Sequence, residues 1–401
     1  MQPDECRRPV RPDPDLAELR RSIEELDEHL VDLFSRRMEI ARSIGAVKVR
    51  TGAPVFDPAR EDAIVARVLK QAGPQDARRV ESLLRGIMRL SRSAQYEHQL
   101  NAGAEFPLGR QIVDAPDAWP SVRRIIYQGT AGSYSEQASR LLFPAAETVR
   151  AATFADACDR VHEGLADAAV LPLENSTAGT VDDVYDLLLQ NRLYLWRSLS
   201  LPIHHQLLAC PGASLAEITT VLSHPQALAQ CSDLIRRQGW SVQETANTAF
   251  AAESVAAAKD RSLAALASEA AALAYGLQIL QTDVNNVAAN QTRFIAVGRD
   301  LVITPDAGRV SLILSLPHLS GSLAAALSIF SDRGLNLSKI QSRPDLNNPW
   351  AYFFYLDFES RSQDLQQTLA ALYQLSREMP FLRLLGWYGE ERLPEGGMPV
   401  G

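Results

Sequence analysis

A repeat of apolar residues near the start of the chain requires one long helix. Leucine, isoleucine and valine recur in a 3–4 pattern over more than four heptads, at positions 16, 19, 23, 26, 30, 33, 40, 44 and 47. This spacing places the side chains on one stripe of an α-helix. The stripe position at 37 holds Arg37, which is either solvated at an open helix end or, if buried, faces an anion.

Two more basic residues of this helix constrain how it can form a site. Arg20 and Lys48 share another heptad position and lie about 42 Å apart along a straight helix. One small ligand cannot contact both residues of one chain. If both residues serve one site, a second subunit must supply one of them.

Two further helices are predicted before about residue 98. Asp57 and Pro58 are an N-cap followed by proline at the first helical position. Glu61 follows on the same face, one turn later. The third helix carries Ser91 and Gln95 one turn apart, which by themselves are typical surface residues.

These three helices resemble the all-helical chorismate mutase family. The resemblance rests on the segments 19–27 and 36–41, on Lys48 and on the segment 57–61. It implies an intertwined dimer without a metal or an organic cofactor. The implied contacts are Arg20 of the partner subunit and Arg37 on the substrate carboxylates, Lys48 and Gln95 on the ether oxygen, and Glu61, the backbone of Asp57 and Ser91 on the ring hydroxyl.

The chemistry that this resemblance implies is electrostatic. In a Claisen rearrangement the ether oxygen gains negative charge as its bond breaks. A fixed donor at that oxygen lowers the barrier by about 3–4 kcal/mol, and holding the substrate in its chair conformer adds an entropic contribution.

The predicted helical domain, residues 12–100, is followed by a linker at 101–121 and by an α/β pattern at 122–300. The linker mixes glycine, proline, asparagine and aspartate without periodicity. The later pattern alternates strands and helices, which favours a doubly wound domain or two half-domains around a cleft. Its glycine-rich turn at 129–135 has no Gly-Lys-Ser ending and no GxGxxG, so nucleotide binding is not indicated.

The segment 170–185 contains the densest polar turn of the chain. An apolar strand leads through Glu174 and four more polar residues into a helix whose predicted cap is Ser176 or Thr180. From local pattern alone this is either an anion-binding turn at a helix N-terminus or an ordinary capped loop.

Four segments in order resemble prephenate dehydratases: 132–135, 174–177, 223–227 and 290–294. The resemblance implies a two-lobed fold like type-2 periplasmic binding proteins, with the site in the cleft. It makes Thr292 a proton donor or orienting group, with Glu174 as the ionisable end of a relay and Arg293 as an anion partner. Tyr134 and Phe294 would line the ring site, and His224 either belongs to that site or has a helix-capping or packing role before Pro225. The other candidate catalytic residues are Ser133, Asn175, Ser176 and Thr177.

Residues 309–390 show the order βαββαβ of a ferredoxin-like unit. Through 321–323, 340–344 and 348–350 the segment resembles the phenylalanine-binding type of ACT regulatory domain. In that family two such domains pair and hold the amino acid between them. Serine replaces the usual alanine at 322 and glutamine replaces an acid at 341, which predicts weak phenylalanine inhibition. The implied effector-binding residues are Gly321, Ser322, Leu323, Ser342, Arg343 and Pro344.

Composition excludes several other functions. A net charge of −8 argues against a general nucleic-acid binder. Four cysteines lie far apart without a CxxC motif, so neither a zinc site nor a disulfide framework is indicated. The first eleven residues do not form a signal peptide, and the apolar stretch 263–280 is interrupted by polar residues. These features predict a cytoplasmic protein that does not bind membranes.

The sequence therefore predicts a multidomain enzyme of phenylalanine biosynthesis. It would convert chorismate to prephenate and prephenate to phenylpyruvate, without cofactors, as a homodimer or higher homo-oligomer controlled by phenylalanine. One alternative is an amino-acid sensor with degenerate catalytic sites. Another is a dehydratase whose helical domain only dimerises. The intact polar set at 20, 37, 48, 61 and 95 speaks against both.

Overall fold

Three helices form the first of two units, which ends at Phe106. A computed structural model describes residues 15–345, 348–391 and 393. The N-terminal segment considered as a signal peptide and the first residues of the predicted helical domain lie outside these ranges. The helices are α1 (Leu16–Thr51), α2 (Pro58–Leu69) and α3 (Ala77–Asn101).

The predicted long helix is confirmed by α1, which carries Arg20, Arg37 and Lys48 on one continuous element. The helix ends at Gly52, whose φ of +70° is left-handed, as is common after a C-terminal turn. The N-cap prediction is also confirmed, because the Asp57 side chain accepts a hydrogen bond from the Arg60 N–H at 3.1 Å. Much of the apolar stripe of α1 stays uncovered within one chain, with Leu26 62% and Leu30 57% exposed.

The second unit begins at Pro107, inside the predicted linker. The sequence predicted an irregular segment here. The structure instead contains a short helix, in which Ile112 is buried. In chain order the elements up to residue 298 are α4 (Pro107–Val113), β1 (Arg124–Gln128), α5 (Tyr134–Leu142), β2 (Glu147–Ala151), α6 (Phe154–His162), β3 (Ala168–Asn175), β4 (Gly179–Thr180), α7 (Asp182–Gln190), β5 (Tyr194–Pro202), β6 (Gln206–Ala209), β7 (Thr220–Ser223), α8 (Pro225–Gln230), α9 (Ser232–Gln238), β8 (Ser241–Glu244), α10 (Thr248–Ala258), β9 (Leu263–Ala267), α11 (Glu269–Tyr275), β10 (Gln278–Gln281) and β11 (Gln291–Gly298).

The remaining elements form a C-terminal domain. They run strand, helix, strand, strand, helix, strand: β12 (Arg309–Ser315), α12 (Ser322–Ser331), β13 (Leu337–Pro344), β14 (Tyr352–Glu359), α13 (Leu365–Glu378) and β15 (Phe381–Glu391). Two short 3₁₀ helices lie at Leu215–Glu217 and Ser362–Asp364.

Two sheets divide the α/β region into two lobes. The first-lobe strands belong to a ten-stranded sheet of order β13-β14-β12-β15-β5-β11-β3-β1-β2, with β4 paired to β3. The second lobe contains the five-stranded sheet β10-β6-β9-β7-β8. The chain passes between the lobes after β5 and again before β11, as predicted for a doubly wound region around a cleft.

The C-terminal domain continues the sheet of the first lobe. Residues 389–391 of β15 pair in parallel with residues 197–199 of β5. The core of the first lobe extends into this domain, because Leu171 and Val184 belong to the same buried cluster as Ile313 and Tyr388. In the described ranges no helix is both long and apolar enough to cross a membrane.

The polar turn after β3 differs from its prediction. Helix α7 begins after Val181, and no side chain caps it, so neither Ser176 nor Thr180 is the cap. The N–H groups of Thr177 and Ala178 both donate to Asn175 Oδ1 at 3.0 Å. The turn closes on its own asparagine, and these two N–H groups are not available to an external anion.

Candidate active sites

The helical unit collects cationic and amide groups where α1 passes α3. The Arg37 guanidinium donates to Ser91 Oγ and to the Ile87 carbonyl. Burial lowers the pKa of Arg37, and the negative charge of Glu61 opposes that shift. Arg37 is therefore half-buried on the apolar stripe with neutral hydrogen-bond partners, as expected for a cation held ready for an anionic ligand.

Lys48 and Gln95 add an ammonium group and an amide to this cluster. The Lys48 ammonium donates to the Val55 carbonyl at 2.9 Å, and burial, together with Arg60, lowers the pKa of Lys48. Gln95 is buried, and within the described residues its Oε1 has no hydrogen-bond partner. Such an unpaired buried amide oxygen is costly unless a ligand satisfies it.

Two residues of this cluster were not predicted. Arg92 binds both carboxylate oxygens of Glu61 at 2.6 and 2.7 Å, and it lies one turn before Gln95 on α3. The three-residue spacing between Arg92 and Gln95 could have indicated that both side chains lie on the same face of α3. Gly45 is the second, because a Cβ at that position would lie 3.3 Å from the Cα of Gln95. Glycine there lets α1 and α3 approach closely at the cluster.

Arg20 is not part of the cluster in one chain. It lies on the exposed N-terminal half of α1, on the same continuous helix as Lys48. Asp57 is exposed, and its carboxylate is used as the cap of α2, which leaves its backbone for the predicted contact. The structure thus brings together Arg37, Lys48, Glu61, Ser91 and Gln95.

A cavity of about 200 Å³ lies between the two lobes. The first residues of α5 and α10, Tyr134 and Thr248, line it, and helix N-termini favour anions. No lining residue among those described is acidic. The other lining residues are Gln128, Gly129, Ser133, Ser135, Pro172, Asn175, Ile203, His205, His224, Gln226, Ala227, Gln230, Asn247, Thr292 and Phe294.

Asn175 and Thr292 form the best-defined polar pair of the cavity. They are cross-strand partners on β3 and β11, and Asn175 Nδ2 donates to Thr292 Oγ1 at 2.9 Å. The amide orientation of Asn175 is fixed, since its Oδ1 accepts from the N–H groups of Thr177 and Ala178. Because the Thr292 oxygen accepts this bond, its own proton is free to donate into the cavity.

A chain of hydrogen bonds supports this pair from the second lobe. Thr177 Oγ1 donates to Asn175 Oδ1 and accepts from Gln230 Nε2 at 2.7 Å. Gln230 Oε1 lies 3.2 Å from His205 Nε2. Burial lowers the pKa of His205 to about 4, so this imidazole is neutral near pH 7 and acts in the network as a dipole.

Ser133, Ser176 and His224 have local roles. Ser133 caps α5 by accepting from the Glu136 N–H, and its neighbour Gly132 touches the second lobe, where a Cβ would lie 2.5 Å from Ala271 Cα. Ser176 Oγ donates to the Ala289 carbonyl. His224 caps α8, as the capping reading predicts, and it also lines the inter-lobe cavity. Burial lowers its pKa.

The expected relay through Glu174 and the expected anion contact of Arg293 do not fit the structure. Both side chains point away from the cavity, because residues alternate between the two faces of a strand. Arg293 binds Glu174 at 3.1 Å and Asp357 of β14 at 2.8 Å. Thr292 contacts Asn175 and not Glu174, so no direct hydrogen bond joins Thr292 to that carboxylate within the described residues.

The residues implied in effector binding lie in two places. Ser322 and Leu323 line a cavity of about 710 Å³ beside Trp350, which is 84% exposed, and Gly321 precedes α12 with a left-handed φ of +83°. Arg343 instead binds Asp182 and Asp186 of α7 at 2.6 and 2.7 Å. Ser342 and Pro344 lie with it on β13, and none of these three lines that cavity.

Two family models match the chain. Residues 19–96 match chorismate mutase type II, and residues 125–301 match prephenate dehydratase. These two ranges contain the helical cluster and the inter-lobe cavity respectively.

Full-length relatives carry both parts. A bifunctional chorismate mutase/prephenate dehydratase of Enterobacter agglomerans is 34% identical over 398 residues, covering 96% of this chain and 98% of the relative. The corresponding protein of Escherichia coli (strain K12) is 34% identical over 392 residues, with coverage of 94% and 97%. Among solved structures, prephenate dehydratase from Arthrobacter aurescens in complex with L-Phe matches with a TM-score of 0.61 and 30% identity, covering 66% of this chain and 89% of that one.

Proposed function

Because the chain belongs to the bifunctional chorismate mutase/prephenate dehydratase family, we propose how its two activities are distributed over its residues. The chain rearranges chorismate to prephenate and converts prephenate to phenylpyruvate in phenylalanine biosynthesis. We assign the rearrangement to the helical cluster and the dehydration to the inter-lobe cavity. One observation carries this assignment: each matched range contains a set of buried or half-buried polar groups that is not fully hydrogen-bonded. In the helical range the Oε1 atom of Gln95 has no partner among the described residues, and in the other range the hydroxyl proton of Thr292 is free.

For the rearrangement, the cluster offers donors at both ends of the substrate. The Arg37 guanidinium binds a carboxylate, and Lys48 and Gln95 face the ether oxygen, on which negative charge develops. Gln95 would donate through its amide nitrogen. Glu61, held by Arg92, accepts from the ring hydroxyl, with the Asp57 backbone and Ser91 beside it. No covalent intermediate is required, because the groups stabilise charge and conformation only.

The first site is completed by a second copy of the chain. The uncovered apolar stripe of α1, which includes Leu26 and Leu30, needs a partner, and exposed stripes of this size mark association surfaces. Arg20 lies at the far end of the same helix from Lys48. An intertwined homodimer places the partner subunit's Arg20 beside Arg37, which supplies the second carboxylate contact.

Subunit mixing tests the shared site. Arg20→Ala and Lys48→Ala proteins should each be inactive on chorismate, whereas a mixture after subunit exchange should recover about a quarter of unmodified activity. Half of the dimers are then hybrids, and each hybrid has one intact site of two. Chorismate loss is followed by absorbance.

The matched control mixes Arg37→Ala with Lys48→Ala. These two residues come from the same chain in every site, so no hybrid has an intact site and no recovery is expected. Absence of recovery in verified Arg20/Lys48 hybrids would contradict the shared-site assignment.

For the dehydration, the cavity suits the doubly negative substrate. It presents two helix N-termini and neutral hydrogen-bond donors, without an acidic side chain among its described lining, so two carboxylates meet no repulsion. Loss of the ring hydroxyl as water requires a proton, while the departing carboxylate leaves as carbon dioxide and its bonding electrons complete the aromatic ring. Thr292 passes its proton to the leaving oxygen and takes up a proton from solvent in the same step, so that no alkoxide remains, and Asn175 orients its hydroxyl.

The C-terminal domain is an ACT-type effector domain for phenylalanine. Its βαββαβ order, its exposed apolar groups Leu319, Trp350 and Tyr352 and the cavity beside them support a paired domain that holds an amino acid at its interface. Ser342 and Pro344 would face that interface from the other domain of the pair. Effector binding at that interface would then shift β13 and change the distances of the ion pairs that Arg343 makes with α7.

Replacing Gln341 by glutamate is expected to strengthen phenylalanine inhibition about ten-fold. Gln341 lies on β13, and within the described residues its amide donates only to the neighbouring Ser342 carbonyl. A carboxylate there would therefore give the effector ammonium a charged partner. Such a change is within the coupling typical of allosteric sites. The measurement is the phenylalanine concentration that halves prephenate turnover.

Gln366→Glu, an equal charge change on the exposed face of α13, is the control and should leave inhibition unchanged. An unchanged half-inhibitory concentration in Gln341→Glu would remove the assigned ammonium contact.

A further inference from the structure

A buried ion pair between α2 and α3 lies beside the two cations of the helical cluster. The Arg92 guanidinium donates from Nη1 to both carboxylate oxygens of Glu61, at 2.6 and 2.7 Å. The side chains of Arg92 and Glu61 are only 8% and 16% exposed. The guanidinium also lies over the Phe56 ring, with 4.5 Å between its Cζ and the ring centroid. Short charge-assisted bonds and an aromatic contact therefore fix the Arg92–Glu61 pair.

Arg37 and Lys48 are anchored next to this pair. Arg37 donates to the hydroxyl of Ser91, which directly precedes Arg92 on α3. Lys48 donates to the backbone carbonyl of the residue directly before Phe56. Both cations thus contact immediate sequence neighbours of the residues that hold the Glu61 carboxylate, and they border the Arg92–Glu61 pair from two sides.

The Glu61 carboxylate acts electrostatically on both cations without binding either one. Burial lowers the pKa of Arg37 and of Lys48, and the charge of Glu61 opposes both shifts. In the described part of the chain, however, Arg37 and Lys48 are hydrogen-bonded to neutral groups and neither forms an ion pair. The carboxylate instead binds Arg92, a third cation.

This distribution of charge matters because chorismate carries two carboxylates. Arg37 can receive a substrate carboxylate only if no carboxylate of the protein occupies it. Without Arg92, Glu61 would be a poorly solvated anion beside two half-buried cations, and opposite charges attract strongly in such surroundings. Glu61 would then pair with Arg37 or Lys48, and the substrate would have to displace it.

We propose that Arg92 is a positioning residue of the mutase, which sequesters the Glu61 carboxylate and so keeps Arg37 and Lys48 unpaired for the substrate. Arg92 acts through Glu61 and does not need to contact the reacting atoms. Phe56 orients the guanidinium, whose planar face suits an aromatic ring in a way that an ammonium group does not. The proposal rests on the function proposed above for the helical cluster.

The test is Arg92→Met in the full-length chain. We expect the chorismate KM to rise about 10- to 100-fold, which corresponds to a released Glu61 that occupies the cations in roughly 90 to 99% of the molecules. The kcat should fall by less than about three-fold, because saturating chorismate displaces Glu61 from the cations. Prephenate turnover in the same sample should be unchanged. Circular dichroism and the mass of the dimer verify that the helical unit is intact.

A double-variant cycle with Glu61→Gln separates sequestration from other effects of Arg92. In the unmodified chain Glu61→Gln should not lower the chorismate KM, because Arg92 already neutralises that carboxylate. In the Arg92→Met background the same change should lower KM by at least about five-fold, because an amide does not compete for the cations. An equal effect in both backgrounds would mean that the charge of Arg92 attracts substrate from a distance, and it would overturn the proposal.

Arg85→Met is the matched control. Arg85 also joins α3 to α2, through Asp62 at 3.1 Å, but its side chain is 47% exposed and lies outside the helical cluster. The chorismate KM should therefore be unchanged in Arg85→Met. Arg92→Lys, which keeps a cation for Glu61, should hold KM within about three-fold of the unmodified value.

A chorismate KM of Arg92→Met within about two-fold of the unmodified chain would also overturn the proposal. If that variant does not fold, Arg92→Gln decides, because it keeps a hydrogen-bond donor for Glu61 and removes only the charge; a raised KM supports sequestration, and an unchanged KM overturns it. Arg37→Ala is measured in parallel. Near-normal chorismate turnover there would refute the function proposed for the helical cluster, whereas loss there with a normal KM in Arg92→Met refutes sequestration alone.

Discussion

Replacing Arg37 by alanine is expected to lower chorismate turnover about 1000-fold while prephenate turnover is unchanged. Arg37 is a half-buried cation whose described hydrogen-bond partners are the neutral Ser91 and Ile87 groups, so its charge is available to a substrate carboxylate. Loss of one such preorganised donor typically costs two to three orders of magnitude. Both activities are measured in one preparation, by the absorbance of chorismate and of phenylpyruvate.

Arg36→Ala is the matched control on the same helical turn. The Arg36 side chain is 71% exposed, and its ion-pair partner among the described residues is Asp32 in the exposed part of α1, so chorismate turnover should be unchanged. Near-normal turnover in Arg37→Ala would mean that the cation on the apolar stripe stabilises the dimer without contacting substrate. A parallel fall of both activities would indicate a folding defect.

The sequence determined the helical unit well because its signals are periodic and local. The stripe from Leu16 to Val47 predicted α1, and the Asp57–Pro58 pair predicted the start of α2. Arg37 was identified because it interrupts the stripe. The salt bridge from Arg92 to Glu61 was missed, since a cation on a helix is usually solvent-exposed and only the packing of α2 against α3 buries this one.

The sequence identified the dehydratase residues as a group, but it did not predict to which face of the sheet each side chain points. Asn175 and Thr292 face the cavity, whereas Glu174 and Arg293 face the C-terminal domain. The predicted strand ended before the polar turn, whereas β3 extends to Asn175. With the longer strand, the alternation of side chains between the two faces would have placed Asn175 and Glu174 on opposite sides of the sheet. Glu174 was expected at the ionisable end of a relay and Arg293 at an anion, because charged residues in a catalytic motif suggest such roles.

Other features depend on contacts that a local pattern does not contain. The continuation of the sheet from β5 to β15 joins residues almost 200 positions apart, and the approach of Gly132 to Ala271 joins the two lobes. The helix inside the predicted linker is similar, because its two buried residues, Gly109 and Ile112, are too few to give a periodic signal over seven residues. Tertiary packing decides each of these cases.

Replacing Thr292 by valine is expected to lower prephenate turnover about 100-fold or more while chorismate turnover is unchanged. Valine keeps the shape and removes the hydroxyl, which accepts from Asn175 at 2.9 Å and whose proton is free to reach the leaving oxygen. A positioned proton donor contributes about two to four orders of magnitude. The loss should appear in kcat, with KM little changed, since the hydroxyl acts as the bond to the leaving oxygen breaks.

Two further substitutions separate the hydroxyl from other effects of the change. Thr292→Ser keeps the oxygen and should retain most of the turnover. Thr304→Val makes the same change at another buried threonine, whose hydroxyl has no hydrogen-bond partner in the described part of the chain, and should leave kcat unchanged. Near-normal kcat in a folded Thr292→Val protein would show that the proton comes from elsewhere in the cavity, and Asn175 would then position the strand and not the donor.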